Sequence, residues 1–270
     1  MARVDSGPDT KPLPPNVRAI QDSIPQSMLG WLCETSSETP IEEIRRRLFE
    51  DEYVFVKGLL PRDDVLKTRE HYFSQFKSLG LLKPDIDPVD GKYNMAEDIS
   101  LHNGVGGGGP TVNDELERLV KAMCSSPTWI SRRTPSCVKC IGVHYDKLFL
   151  RGGDAFFLTA WVPLGDVTAT GGGLVYLEDS TSLTKAIEDD FGQDHEHLAK
   201  KTKFNWFVAD FEAGDVVFRL PYTIHTAAAN NDPHGRIRLS TDLRFYDKKD
   251  VEASATHERW NKFWTPDDGI

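Results

Sequence analysis

Residues 155–180 read AFFLTAWVPLGDVTATGGGLVYLEDS. Two apolar runs, 155–163 and 173–177, have the length of strands, and the Gly, Asp and Thr residues between them break regular structure. Similar short runs lie on either side, at 137–143, 205–209, 215–220 and 236–246. Runs this short, separated by Gly, Pro and Asp, predict a mainly β chain whose antiparallel strands form a sandwich or barrel.

Upstream, the pattern changes period. Thr39 reads as an N-cap, Pro40 suits a first helical position, and Ile41, Ile44 and Leu48 share a face, so a helix is expected to about Glu50. YVFVKGLL at 53–60 reads as a strand, and a second amphipathic helix opens at Pro61 and runs towards Leu79, with Val65, Tyr72, Phe73 and Phe76 inward. A helix-like stretch follows at 114–123, and 185–203 reads as an exposed charged excursion. The proline-rich residues 1–30 are expected to be a tail or arm on the surface, and 31–270 a single domain. The polar segment 83–110 ends in four glycines, Gly106 to Gly109, and is expected to act as a lid.

With 270 residues, 39% hydrophobic and 27% charged, the chain can bury a sizeable core. A formal charge of -10 without clustered Lys or Arg excludes a nucleic-acid partner and points to a small-molecule substrate. No run is long and apolar enough to cross a bilayer, and the start lacks a secretory signal, so no membrane partner and a cytoplasmic location are expected. Oligomeric state is not encoded in any motif. Cys137 and Cys140 form a C-x-x-C, but a structural zinc site needs a second pair, so these read as incidental thiols.

The chemistry concentrates in two places. In IGVHYDKLF, His144 and Asp146 sit two apart at a strand end, which puts both side chains on one face. In GDVVFRLPYTIHTAAANN, residues 214–231, an apolar strand leads to His225 at its far end. Two histidines and a carboxylate are the facial set of non-haem Fe(II) oxygenases, which leaves positions open for cosubstrate and oxygen. The other histidines lack a carboxylate at strand spacing; His195 and His197 lie in a solvated charged stretch. In HGRIRLSTDLRFY, Arg236 and Arg238 alternate with Ile237 and Leu239, and inward arginines need an anion. Either could grip the distal carboxylate of 2-oxoglutarate; alternatively, the Arg face of this strand points to solvent. The three ligands cap a barrel that the apolar strands already hold, so replacing any one is expected to spare the fold.

These motifs, with DEYVFVKGLLPRDDV near the start and LTAWVPLGDVTATGGGLVYLEDS in the middle, resemble the phytanoyl-CoA dioxygenase family of Fe(II)/2-oxoglutarate oxygenases over about 49–246, in its fungal biosynthetic form. The resemblance implies a double-stranded β-helix (jelly-roll, cupin-like) barrel with flanking N-terminal helices. It implies Fe(II) held by His144, Asp146 and His225, with 2-oxoglutarate and O2 as cosubstrates and ascorbate as an activator in vitro. By the family's spacing, the cosubstrate's carboxylate meets the eleventh residue after His225, which is Arg236; Arg238 shares its strand face, and Thr159 or Trp161 lines the pocket. Family members commonly continue the GGGLVYLEDS block to Gly-Ser-His, and this chain does not. The implied reaction is oxidation of a small molecule, a secondary metabolite or amino-acid derivative, by hydroxylation, desaturation, epoxidation or ring closure. Halogenation is disfavoured because Asp146 fills the position a halide would need. Two rivals are a cupin-like, non-redox metalloenzyme and a silent barrel that only binds.

Overall fold

The computed structural model describes residues 11–19, 22–74, 80–97, 131–133, 143–147, 155–186 and 204–253. Two sheets face each other. The larger has six strands in the order β4 (Glu34–Ser36), β5 (Tyr53–Lys57), β10 (Val216–Arg219), β7 (Phe157–Pro163), β12 (Ser240–Tyr246) and β6 (Ser131–Arg133). The smaller runs β11 (His225–Ala227), β8 (Leu174–Leu177), β9 (Trp206–Val208) and β3 (Leu29–Trp31). This two-sheet jelly roll is the expected mainly β, double-stranded β-helix architecture.

Alternation along the strands builds the core. Tyr53, Phe55, Trp161 and Val217 project from the large sheet and meet Leu174, Tyr176 and Ala227 from the small one, with Phe211 wedged between. Phe211 packs edge-on against both Trp161 and Phe55. Val54, Val56 and Leu220, on the opposite face, pack against Leu48 of α1 (Ile41–Glu50). That helix starts beyond Pro40, and no side chain caps it; Thr39 instead donates its amide to Ser36 O. β5 stops at Lys57, where Gly58 turns with φ 60°.

From Asn16 onward the N-terminal residues lie against the small sheet. β1 (Asn16–Ala19) and β2 (Asp22–Pro25) make a hairpin whose Val17 and Ile24 are buried against Val175, Leu177, Trp206 and Ile224, on the outer face of the small sheet. Ala19 pairs with Ala228, which ties the hairpin to the strand that carries His225. Both faces of the small sheet are therefore covered, and β8 is buried along its whole length.

The segment expected as a lid is pinned where it is described. Lys92 bridges Arg236, and Tyr93 and Ile237 exchange backbone bonds with Gly235 and Gly91. Arg69 of α2 (Arg62–Ser74) holds it from the other side, donating to the carbonyls of Val89, Asp90, Leu164 and Ile237. Burial without a carboxylate partner pulls this guanidinium down to about 10. Gly91, with φ 56°, lies so close that a Cβ would stand 2.3 Å from Arg69 Nη2. The glycine run 106–109, the helix expected at 114–123, the C-x-x-C at 137–140, Phe76 and most of the 185–203 excursion lie outside the described residues. Among the described residues no helix is long and apolar enough to cross a membrane.

Candidate metal centre

Pro221 cannot continue a ladder, so after β10 the chain turns, with Thr223 N bonded to Leu220 O, and returns in the facing sheet at His225. There His144 pairs with it: each donates its amide to the other's carbonyl, at 3.1 and 2.9 Å. Residues paired this way present their side chains on the same face, and the two imidazole rings are 4.4 Å apart. Two residues beyond His144, Asp146 joins them. One ligand atom from each of the three lies within 4.8 Å of the others, and all three residues are buried.

His225 and Asp146 are in the protonation states a metal needs. His225 Nδ1 sits 2.9 Å from the Thr223 carbonyl, which can only accept, so the proton is on Nδ1 and Nε2 offers its lone pair. Burial, with Arg219 and His144 nearby, holds His225 well below the usual histidine range, against the pull of Asp146. Burial alone would raise the Asp146 carboxyl, but Arg219, Arg244 and the two histidines outweigh it and keep the group ionised far below its ordinary range. Two imidazoles and a carboxylate in a buried cluster are a donor set that fits Fe(II).

Asp146 is held by one row of the large sheet. Strand register aligns Tyr53, Arg219, Thr159 and Arg244 across β5, β10, β7 and β12. Thr159 Oγ1 donates to Asp146 Oδ2 at 2.7 Å, and Arg219 donates to the same oxygen from Nε at 3.2 Å and Nη2 at 2.9 Å. Arg219 Nη2 also reaches Asp242 Oδ1 at 3.0 Å. Among the described residues Oδ1 of Asp146 accepts no such bond; its neighbours are Arg244 Nη2 at 3.5 Å and His225 Nε2 at 3.7 Å. The carboxylate thus turns one oxygen to the sheet and the other to the histidines. Tyr176 stacks on His225 at 6.1 Å, and its hydroxyl, pushed up by burial, faces Arg219 without a well-formed hydrogen bond.

The two candidate arginines part company. Arg236 lies beyond the end of β12, about a third exposed, and is tied to Asp232 by Nε at 2.9 Å and Nη2 at 2.6 Å. Arg238 is 4% exposed and donates to Ser240 Oγ at 2.6 Å. Pleating puts it on the face of Ser240, Asp242 and Arg244, while Ile237 and Leu239 pack the other way with Tyr72, Phe73 and Tyr93. Thr159 is fully buried and engaged with Asp146, and Trp161 is core, its register partner on β12 being Asp242.

Residues 95–238 match the profile of the phytanoyl-CoA dioxygenase (PhyH) family. The chain belongs to the phytanoyl-CoA dioxygenase family. As a family member it is a non-haem iron, 2-oxoglutarate-dependent oxygenase, which sets it apart from non-redox cupin-like enzymes. Solved structures align with the chain. EvdO2 from Micromonospora carbonacea var. aurantiaca aligns with a TM-score of 0.50 at 14% identity, over 77% of this chain and 91% of that one. The non-heme alpha ketoglutarate dependent carbocyclase SnoK, from nogalamycin biosynthesis, aligns with a TM-score of 0.49 at 19% identity, over 80% and 87%. No curated protein matches the sequence.

Arg219, Asp242, Arg244 and Tyr176 belong to the centre but carry no motif weight in the sequence reading. The arginine inside VVFRLP is the available signal: a cation in a run that must be buried needs an anion.

Proposed function

We propose that the protein oxidises a small secondary-metabolite substrate with O2 and 2-oxoglutarate, at an Fe(II) held by His144, Asp146 and His225. The observation that carries the assignment is the convergence of these three buried side chains within 4.8 Å. When bound, the metal supplies the oxygen chemistry; the protein binds, orients and shields. Thr159 and Arg219 engage Oδ2 of Asp146, which would leave Oδ1 to hold a metal, and the Thr223 carbonyl fixes the His225 ring.

Arg238 takes the role expected at Arg236. Its burial, on the face that carries Asp242 and Arg244, suits a dianion's distal carboxylate, whereas Arg236 is more exposed and turned towards the loop at Asp232. Trp161 contributes a wall of the interior, and Thr159 acts on the metal's carboxylate. The biosynthetic setting is the one implied by the resemblance of the motifs at 144–146, 155–180 and 214–231 to the family's biosynthetic form. An intact donor set argues against a silent barrel.

The test is succinate release from 2-oxoglutarate by protein reconstituted with Fe(II), with ascorbate to keep the iron reduced, across a panel of small acids, amino acids and polycyclic metabolites. Release that depends on Fe(II) and is stimulated by one panel member is the expected result. Metal-independent release, or equal release from His225→Ala, would refute the assignment.

A further inference from the structure

The row that grips Asp146 contains two guanidiniums, used in opposite ways. Arg219, 1% exposed, donates to both Asp146 and Asp242. Arg244, at the other end of the row, makes no hydrogen bond among the described residues. Its ion-pair partner among the described residues is Asp146 Oδ1, 3.5 Å from Nη2, well beyond the roughly 2.7–2.9 Å of a charge-assisted bond. Its side chain is 14% exposed, and its Nε is shut off from solvent without an acceptor. Cζ lies 5.8 Å from the centre of the Phe157 ring, a fully buried aromatic floor.

A largely desolvated guanidinium with its donors unused is costly, and the cost disappears when an anion is bound. Asp146 Oδ1 cannot fill that role if it faces the metal, and Asp242 Oδ1 is taken by Arg219. Arg244 also opens to solvent more than Arg219 does, so a ligand can reach it from outside. We propose that Arg244, backed by the face of Phe157, is the docking point for a carboxylate group of the substrate beside the metal. This rests on the metal and Arg238 assignments above and adds the substrate's chemical class. The same chemistry could come from the metal-proximal carboxylate of 2-oxoglutarate, and the test separates the two sources.

Protein loaded anaerobically with Fe(II) and 2-oxoglutarate is titrated with benzoate and with its neutral isostere benzamide, with binding read by calorimetry. The wild type should prefer benzoate by at least about tenfold. Arg244→Met should abolish that preference while changing 2-oxoglutarate affinity by less than about threefold. Arg244→Lys, which keeps a charge but loses the planar fork, should fall between them, and it carries the comparison if the Met variant does not fold. An unchanged benzoate preference in the variants, or none in the wild type, overturns the proposal. Loss of 2-oxoglutarate affinity with benzoate preference retained assigns the site to the cosubstrate and overturns the substrate reading. Failure of the parent assignment looks different: wild-type protein would not bind 2-oxoglutarate in a metal-dependent way.

Discussion

Asp146→Ala should destabilise the metal-free protein far more than a ligand at the rim of a barrel would. The carboxylate is 2% exposed and Arg219 is 1% exposed, so each is the other's counter-ion away from water. Removing the carboxylate leaves Arg219 with Asp242 alone and takes away the acceptor of Arg219 Nε and of Thr159 Oγ1. Breaking one side of a buried pair costs about 3–5 kcal/mol. The retained Asp242 bond puts this case at the lower end, near 3 kcal/mol. Urea unfolding of metal-free wild type, Asp146→Ala, Arg219→Met and the double variant would measure it, with a coupling of about 2 kcal/mol or more expected between the two sites. The sequence reading, in which the fold survives loss of any ligand equally, holds if Asp146→Ala costs under about 1 kcal/mol and the coupling vanishes. That result would refute the counter-ion argument.

Further consequences can be measured independently. Arg238→Ala should raise the 2-oxoglutarate requirement steeply, by about 2–5 kcal/mol of lost binding, whereas Arg236→Ala, which breaks a pair at the loop, should change it little; KM values for 2-oxoglutarate decide between them. Stability of the metal-free protein should fall on acidification below about pH 6.5, because the unfolded chain protonates His225 more readily than the folded one does. His225→Gln should flatten that part of the profile, and an unchanged slope would exclude His225 as the cause. Gly91→Ala should cost about 1–3 kcal/mol, since φ is 56° and the new methyl would collide with Arg69. Thermal melting with and without an Arg69→Met partner change tests whether the collision is the reason.

The parts of the fold legible in the sequence were those where burial imposes a clear period. β7, β8, β9 and β10 fall within apolar runs bounded by breakers, and His144 with Asp146 shows the two-residue spacing of one strand face. The β1–β2 hairpin was hidden because it sends only isolated apolar residues such as Val17 and Ile24 inward, among prolines and polar residues that look like a tail. Arg236 and Arg238 have the same pleat parity, so alternation cannot separate them. What separates them is where the sheet ends: Arg236 lies at the loop turned by Asp232 and Gly235, and Arg238 follows it inside. The roles of Arg219 and Arg244 depend on registering three strands far apart in the chain, which no local pattern encodes.

The central claim is that His144, Asp146 and His225 together hold the iron. Anaerobic titration of metal-free protein with Fe(II), with 2-oxoglutarate present and the visible charge-transfer absorption of the chelate followed, tests it most directly. Wild-type protein should develop the band with one iron per chain, and His225→Ala, still folded, should develop none. A His225→Ala protein that binds one iron and shows the same band would contradict the assignment.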